Sequence, residues 1–463
     1  MARQRTAPAR EKRRRTIGAF IGSVERLIEE LGETDSPQRI RTYSEATADD
    51  LVVALRLLGG IDGVGIVVHG PRGCGASIME TAPGTNVIVT HLAERDTIMG
   101  SDKVLKHAAN VLVSRCRPWA LFLVATPVVA INNDDLRVTA AELADELAIP
   151  VLPVYCDGFR SRIGDTGFDV AFHALLDLIP GHDGPPDPGL VNLLSVTGGK
   201  SADAMAELLE RLGLRVNLLP AGSVRGSLAA ASRAAASIAI DSDSAGYPGH
   251  ELEIAHHVPF VPSRPPIGVR GTRNWLEVVA AATGVHEKAA EVHETGLASL
   301  PAALGRTLAG VDVWLGFPPA AALGVAGLVA ELGGRVGWVS ADYFDATHIA
   351  ELKTLAERCP GLLLHVGSGQ SFEAANLLRL HKPALFIGTP GRAADARRAG
   401  IPAVGLLPDE LTGYRGVSIL ARRSGKALRN RGFVDALSRE TPSAYRDAWL
   451  RRSPDWHIKL EVR

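Results

Sequence analysis

The stretch "IVVHGPRGCGAS", residues 66–77, decides how this chain is read. An apolar run ends in a glycine-rich turn, and the turn holds one of only four cysteines in 463 residues. A strand with no polar alternation is one buried on both faces, as in a parallel sheet covered by helices. The same kind of run recurs along the chain: "WALFLVAT", "PVLPVYC", "LVNLLSV", "LRVNLLP", "ASIAID", "VDVWLGF", "RVGWVSAD", "GLLLHVGS", "PALFIGT" and "IPAVGLL". Between the runs lie Ala/Leu/Glu-rich segments such as "TAAELADEL", "ADAMAELLERLG" and "FEAANLLRL". Buried strands alternating with amphipathic helices predict an α/β fold.

Two breaks divide the pattern. "GHDGPPDPG" at 181–189 reads as a linker, and "VPFVPSRPPIG" near 258–268 is a second interruption. The expectation is three Rossmann-like parallel-sheet domains around a central cleft. Domain I spans 45–182, domain II 188–265 and domain III 309–410. A basic tail and helix (1–44) precede them, a helical connection (266–308) joins the last two, and a helix and tail (411–463) close the chain. Open parallel sheets bind ligands outside the carboxyl ends of their strands. Asp241, Tyr247 and His250 of domain II, Arg95 and Arg160 of domain I, and His365 and Ser368 of domain III follow predicted strands. They are the cleft candidates, with Arg95 and Arg160 as the charges toward an anionic guest.

With 50 Lys+Arg against 51 Asp+Glu, the net charge is −1, and nothing calls for nucleic acid or an acidic membrane as partner. The exception is "MARQRTAPAREKRRR", which reads as a solvated tail. No apolar stretch of signal-peptide type follows it: "TIGAFIGSVERLIEELGE" reads as an amphipathic helix. No run of 18 apolar residues appears, so no membrane span is expected. Cys74, Cys116, Cys156 and Cys359 are far apart with no C-x-x-C, which predicts a reducing cytoplasm rather than a disulfide scaffold.

Several motifs fail on inspection. "SVTGGKSADAM" lacks the first glycine of a P-loop, because Leu194 stands five residues before Gly199. It predicts a strand, a glycine turn and a helix, with no nucleotide bound by this chain. His286 and His293 share a helix face, but zinc would want a spacing of four and a third ligand; a solvated face is expected. His256 and His257 point to different sides. Neither G-x-S-x-G nor G-x-G-x-x-G after a strand is present.

Cys74 therefore carries the chemistry. Gly70, Gly73 and Gly75 let backbone approach closely and leave room beside the sulfur. Packing, nucleophile and metal ligand all remain open from the residues alone. A single cysteine cannot hold an iron–sulfur cluster, so that reading requires ligands from another chain.

"HGPRGCG" resembles the second cluster-ligand motif of the nitrogenase component 1 family, which includes molybdenum–iron protein subunits, cofactor-assembly scaffold subunits and dark-operative protochlorophyllide reductase subunits. "TNVIVTHLAERDTIMGSDKVLKHA", "ATPVVAINNDDL", "VLPVYCDGFRSRIGDTGFDVAFHAL", "PPIGVRGTRNWLEVVAAATG" and "TGYRGVSILAR" resemble further family segments in the family's order. The resemblance implies a subunit of a nitrogenase-like iron–sulfur oxidoreductase or cofactor-assembly scaffold. It implies a [4Fe–4S] cluster shared with a paralogous subunit, electrons from an ATP-dependent iron–sulfur reductase dimer, and an α2β2 assembly. The alternatives are a tetrapyrrole reductase subunit and a structural subunit without a cluster. The chain departs from the family at two of three ligand positions: the first falls near Asp49, the third at Thr126–Pro127, and only Cys74 keeps a thiol, flanked by Gly73 and Gly75. Asp49 is a candidate oxygen ligand. The positions that ligate a large metal cofactor fall near Asp241 and Leu407, which are not the family's ligand types. The other three cysteines are expected to be structural.

Overall fold

The computed structural model describes residues 16–33, 38–45, 49–75, 86–132, 134–156, 158, 163–302, 304–441 and 443–460. Arg160 and the basic tail lie outside the described residues. The architecture is α/β, with three sheets whose strands are almost all parallel. By mutual contacts the chain forms two compact units, one built on residues 48–198 and 213–262, the other on 15–47, 199–212 and 263–463.

The first unit contains two sheets. One runs in the order Val87–Val89, Val64–His69, Ala120–Ala125, Val151–Tyr155, every pair parallel. Its two central strands are buried at every residue, which is why they read as continuous apolar runs. The other runs Phe260–Val261, Ala234–Ala239, Asp187–Ser195, Arg215–Pro220, also parallel. Helix Asp50–Gly59 packs on helix Thr166–Leu175, and both bury apolar faces in one core with Ile66, Phe122 and Val154.

The second unit carries a six-stranded sheet in the order Phe20–Ser23, Leu363–Val366, Arg335–Ala341, Asp312–Gly316, Leu385–Gly388, Ala403–Gly405. All pairs are parallel except the first, which is antiparallel. All eleven strands expected from the sequence form. The segment read as one N-terminal helix is instead strand Phe20–Ser23 followed by helix Val24–Gly32. Ser23 divides them: its hydroxyl accepts from Arg26 N at 3.4 Å, an N-cap that starts the helix there. Phe20, 2% exposed, is then buried over the edge of the sheet. The glycine turn of "VTGGK" is as expected, with Gly198 and Gly199 at φ +63° and +70° and a helix over Gly199–Arg211. That helix groups with the second unit.

A two-stranded antiparallel ribbon joins Arg39–Arg41 to Ile458–Leu460, bringing the C-terminal segment of the described chain onto a segment near its start. There Glu373, wholly buried, accepts from Arg41 (Nε to Oε1, 2.6 Å; Nη2 to Oε2, 3.1 Å), His365 Nε2 (2.9 Å) and His457 Nε2 (2.8 Å). Three side chains from separate chain segments meet on one carboxylate. Among the described residues no helix is long and apolar enough to cross a membrane.

Candidate functional site

Strand Val64–His69 ends at Gly70, and residues 72–75 make a short helical turn in which Cys74 N donates to Pro71 O at 3.1 Å. Two glycines are needed there on steric grounds. A Cβ on Gly70 would lie 2.4 Å from Thr126 Oγ1, and one on Gly75 would lie 2.1 Å from Val89 Cγ2. Gly73, by contrast, faces open space, so the expectation that every glycine of the motif serves close packing holds only for its two ends.

The Cys74 sulfur is half-buried against the core of the first unit. Burial pushes its thiol pKa up, the negative charge of Asp49 pushes it further, and a hydrogen bond with Thr126 opposes both. Asp49 is held by its own helix: it caps Asp50–Gly59, accepting from Val52 N at 3.0 Å. Thr126 follows strand Ala120–Ala125 and donates through Oγ1 to His69 O at 2.9 Å, tying the two strand ends together. Positions 49, 74 and 126 therefore converge from three segments distant in sequence.

The turn is braced from behind by a group the sequence reading passed over, although it stands inside the quoted motif. His69 is fully buried, with Nδ1 3.1 Å from Thr90 Oγ1 and Nε2 2.9 Å from Ser101 Oγ. Ser101 in turn donates to Asp134 Oδ2 at 2.5 Å, and Gly70 N donates to Thr90 Oγ1 at 3.0 Å. With Ser101 donating to Asp134, His69 Nε2 carries a proton and donates to Ser101; the single Thr90 hydroxyl proton serves both His69 Nδ1 and Gly70 O, 3.3 Å away. Burial lowers the His69 pKa, and the Asp134 charge only partly offsets it. The signal available in the sequence was a histidine ending an otherwise apolar strand.

The remaining candidates have local roles. Asp241 caps helix Ser242–His256, accepting from Asp243 N at 2.9 Å. Tyr247 is buried, its hydroxyl 2.6 Å from His173 Nδ1. His250 is exposed and meets Phe260 edge-on at 4.8 Å. His365 is 2% exposed, engaged by Ser340 Oγ at 3.0 Å as well as by Glu373. The carbonyl of Ser368 accepts from Gln370 Nε2 at 2.8 Å. Arg95 is exposed on helix Glu94–Met99. On helix His286–Ala298, His286 is exposed, but His293 lies 2.7 Å from the Tyr414 hydroxyl, so that face is not uniformly solvated as expected. Cys156 and Cys359 are buried and Cys116 is half-buried at a helix end; all are free thiols.

The donor set at the convergence is one thiol, one carboxylate and one hydroxyl. It fits a single thiolate contribution to a metal cluster, not a complete four-iron site. Among the described residues no group of three or more His, Cys, Asp or Glu could hold a metal ion. In the metal-free chain the raised pKa keeps Cys74 as a thiol, and only thiolate alkylates. Iodoacetamide should therefore label it slowly at neutral pH and faster as pH rises. Asp49→Asn keeps a capping side chain and removes the charge, so labelling should accelerate several-fold, read by peptide mass spectrometry. Equal rates in the two proteins would mean that the carboxylate charge does not act on the sulfur.

Comparisons with known proteins agree in one direction. The family described as nitrogenase component 1 type oxidoreductase matches residues 24–429. The nitrogenase iron-molybdenum cofactor biosynthesis protein NifE of Methanococcus maripaludis is 25% identical over 389 residues, 77% of this chain and 78% of that protein. A light-independent protochlorophyllide reductase subunit from a Methylobacterium species is 30% identical over 247 residues, 50% of this chain and 48% of that one. The nitrogenase molybdenum-iron protein alpha chain of Methanosarcina barkeri is 28% identical over 231 residues, 46% of this chain and 43% of that one. A solved structure of nitrogenase Cp1 shares the fold, with TM-score 0.69 and 18% identity over 88% of this chain and 93% of that one.

Proposed function

Because the chain belongs to the nitrogenase component 1 type oxidoreductase family, we propose that it is one subunit of a complex in which Cys74 supplies one thiolate to a [4Fe–4S] cluster. A paralogous subunit supplies the other cysteines, and an ATP-dependent iron–sulfur reductase dimer supplies electrons. The observation that carries this reading is the convergence of Asp49, Cys74 and Thr126, the positions at which the family resemblance expects its three ligands. Such a cluster, when bound, provides one-electron transfer. The chain's part is to present Cys74 on a turn held by His69 and Thr126, with Asp49 beside it as an oxygen donor. Exposed apolar residues support a partner at this end of the first sheet. Helix Glu94–Met99, which follows strand Val87–Val89, buries none of its residues. Ile98 and Met99 on it are 80% and 77% exposed, and Ile131, beyond the end of strand Ala120–Ala125, is 70% exposed. The assembly would be cytoplasmic and α2β2.

Between enzyme and scaffold, the scaffold reading is favoured. Asp241 serves as a helix cap, and Leu407 is a half-exposed leucine, so neither is a soft ligand for a large metal cofactor. A subunit that must release its metal product has no need of such ligands. Arg95 and Arg160 are the proposed charges toward an anionic or metal–sulfur guest.

The test is Cys74→Ala in the co-purified complex, with Cys116→Ala as control. The Cys74 variant should lose most of the cluster iron and its EPR signal while far-UV circular dichroism is retained. Unchanged iron and EPR would reduce Cys74 to packing and leave a structural subunit without a cluster. In the cluster-loaded complex, Arg95→Ala and Arg160→Ala should cut turnover or cofactor transfer with little change in melting temperature; unchanged activity in both would move the guest site to the partner chain.

A further inference from the structure

The second unit contains a cavity of about 400 Å³ beside the edge strand Ala403–Gly405 that the function above does not use. Its floor is apolar, with Val404 and Ala427, and its wall includes Phe433, a phenyl ring 56% exposed. Its rim carries Arg397, Arg423 and Lys426, and among the described residues no acidic side chain lines it.

The two arginines are held in place by the open edge of the sheet. Arg397 Nη2 donates to Ala403 O at 2.9 Å and Arg423 Nη1 to Gly405 O at 3.2 Å. Each guanidinium has five donors, so both keep further N–H groups after covering a strand carbonyl. Their positions are set before any ligand arrives, which lowers the ordering cost of binding. Arg423 also pairs with Glu410 at 2.9 Å, while among the described residues no carboxylate pairs with the exposed Lys426. The surroundings reinforce the sign: residues 390–440 contain ten Arg and Lys against five Asp and Glu. A pre-formed concave site with an apolar floor and a few convergent charges has the anatomy of a small-molecule pocket, and its volume is within the usual range.

We propose that this cavity binds a small organic anion: a carboxylate, sulfonate or phosphate held by Lys426, Arg423 and Arg397, on an aromatic or branched aliphatic body lying over Val404 against Phe433. An inorganic anion would leave the floor and the phenyl ring unused, and a neutral apolar molecule would leave the rim unpaired.

The probe is 8-anilinonaphthalene-1-sulfonate, titrated by fluorescence into the full chain purified with its partner. One saturable site is expected. Lys426→Glu, on the exposed rim, should weaken it at least about tenfold by reversing a charge. Ala427→Trp should abolish it by filling the floor. Ile254→Ser, at an exposed apolar side chain of the other unit, should leave it unchanged, which separates the cavity from general apolar binding. Excess inorganic phosphate should fail to displace the dye. Unaltered affinity in Lys426→Glu, or full displacement by phosphate, would overturn the proposal. Lys426→Glu decides it even if Ala427→Trp does not fold, since Lys426 is solvent-exposed.

Discussion

Replacing Glu373 by alanine should destabilise the chain by about 3–5 kcal/mol, the range for removing one partner of a buried ion pair. The carboxylate is 0% exposed, and Arg41, 10% exposed at its side chain, would be left as an uncompensated buried charge. Two histidines would lose their acceptor at the same time. Ser340 accepts from Trp314 Nε1 and lies 3.0 Å from His365 Nδ1, so His365 donates to Glu373 through Nε2. His457 Nδ1 is buried with no partner among the described residues, so its only hydrogen bond of this kind is the one from Nε2 to Glu373. Because Arg41 lies in the terminal ribbon and His457 immediately precedes its second strand, the loss should appear first as release of the C-terminal segment, seen as proteolysis beyond residue 440. The denaturation midpoint measures the whole effect. Arg41→Met combined with Glu373→Leu should recover part of the loss, since the desolvation cost of both charges is then gone.

The same group sets a pH dependence. Burial pushes the Glu373 carboxyl up, but hydrogen bonds from His365, His457 and Arg41 outweigh it and hold its pKa well below the usual carboxylate range. Asp345 is held at about 2, with burial again outweighed, there by His348 and Thr347. For a carboxylate whose folded pKa is depressed, the stabilisation is present above the unfolded pKa, about 4, and is lost as pH falls through the folded value. Stability should therefore drop between about pH 4 and pH 2, and the drop should be shallower in Glu373→Gln. An identical acid limb in the variant would contradict this assignment.

Gly167→Ala should cost about 3 kcal/mol, the upper end of overpacking, and should also disturb the Cys74 site. Gly167 lies in helix Thr166–Leu175 where it crosses helix Asp50–Gly59. An added Cβ would stand 2.1 Å from Asp50 O and 2.7 Å from Ala54 N. These are backbone atoms, so no rotamer change relieves the clash and the helices must separate. The helix that moves carries Asp49 at its N-cap, the residue whose charge acts on Cys74. Cys74 alkylation should accelerate in this variant along with the fall in melting temperature. A lower melting temperature with unchanged alkylation would show that the strain is absorbed on the Thr166–Leu175 side. An unchanged melting temperature would mean that the crossing is looser than the distances imply.

What the residues determined by themselves is the α/β architecture. Strands such as Val64–His69 and Ala120–Ala125 are buried on both faces, so sequence period and burial coincide and each strand is legible without its neighbours. Cys74 was legible for a related reason: a cysteine between glycines at a strand end is rare in a chain so poor in cysteine, and its family resemblance pointed to positions 49 and 126. The short edge pieces were decided only by tertiary structure. Phe20–Ser23 and the ribbon of Arg39–Arg41 with Ile458–Leu460 are three or four residues long and exist because a distant partner supplies the hydrogen bonds. The fate of the candidate side chains was likewise decided there. His365 does follow a strand, as a ligand-binding residue would. Its ring nitrogens are nonetheless engaged by Ser340, 25 residues away, and by a carboxylate that also binds Arg41 and His457. Burial of a charge is affordable only where several distant donors converge on it, and that convergence is a property of the packed fold rather than of any local pattern.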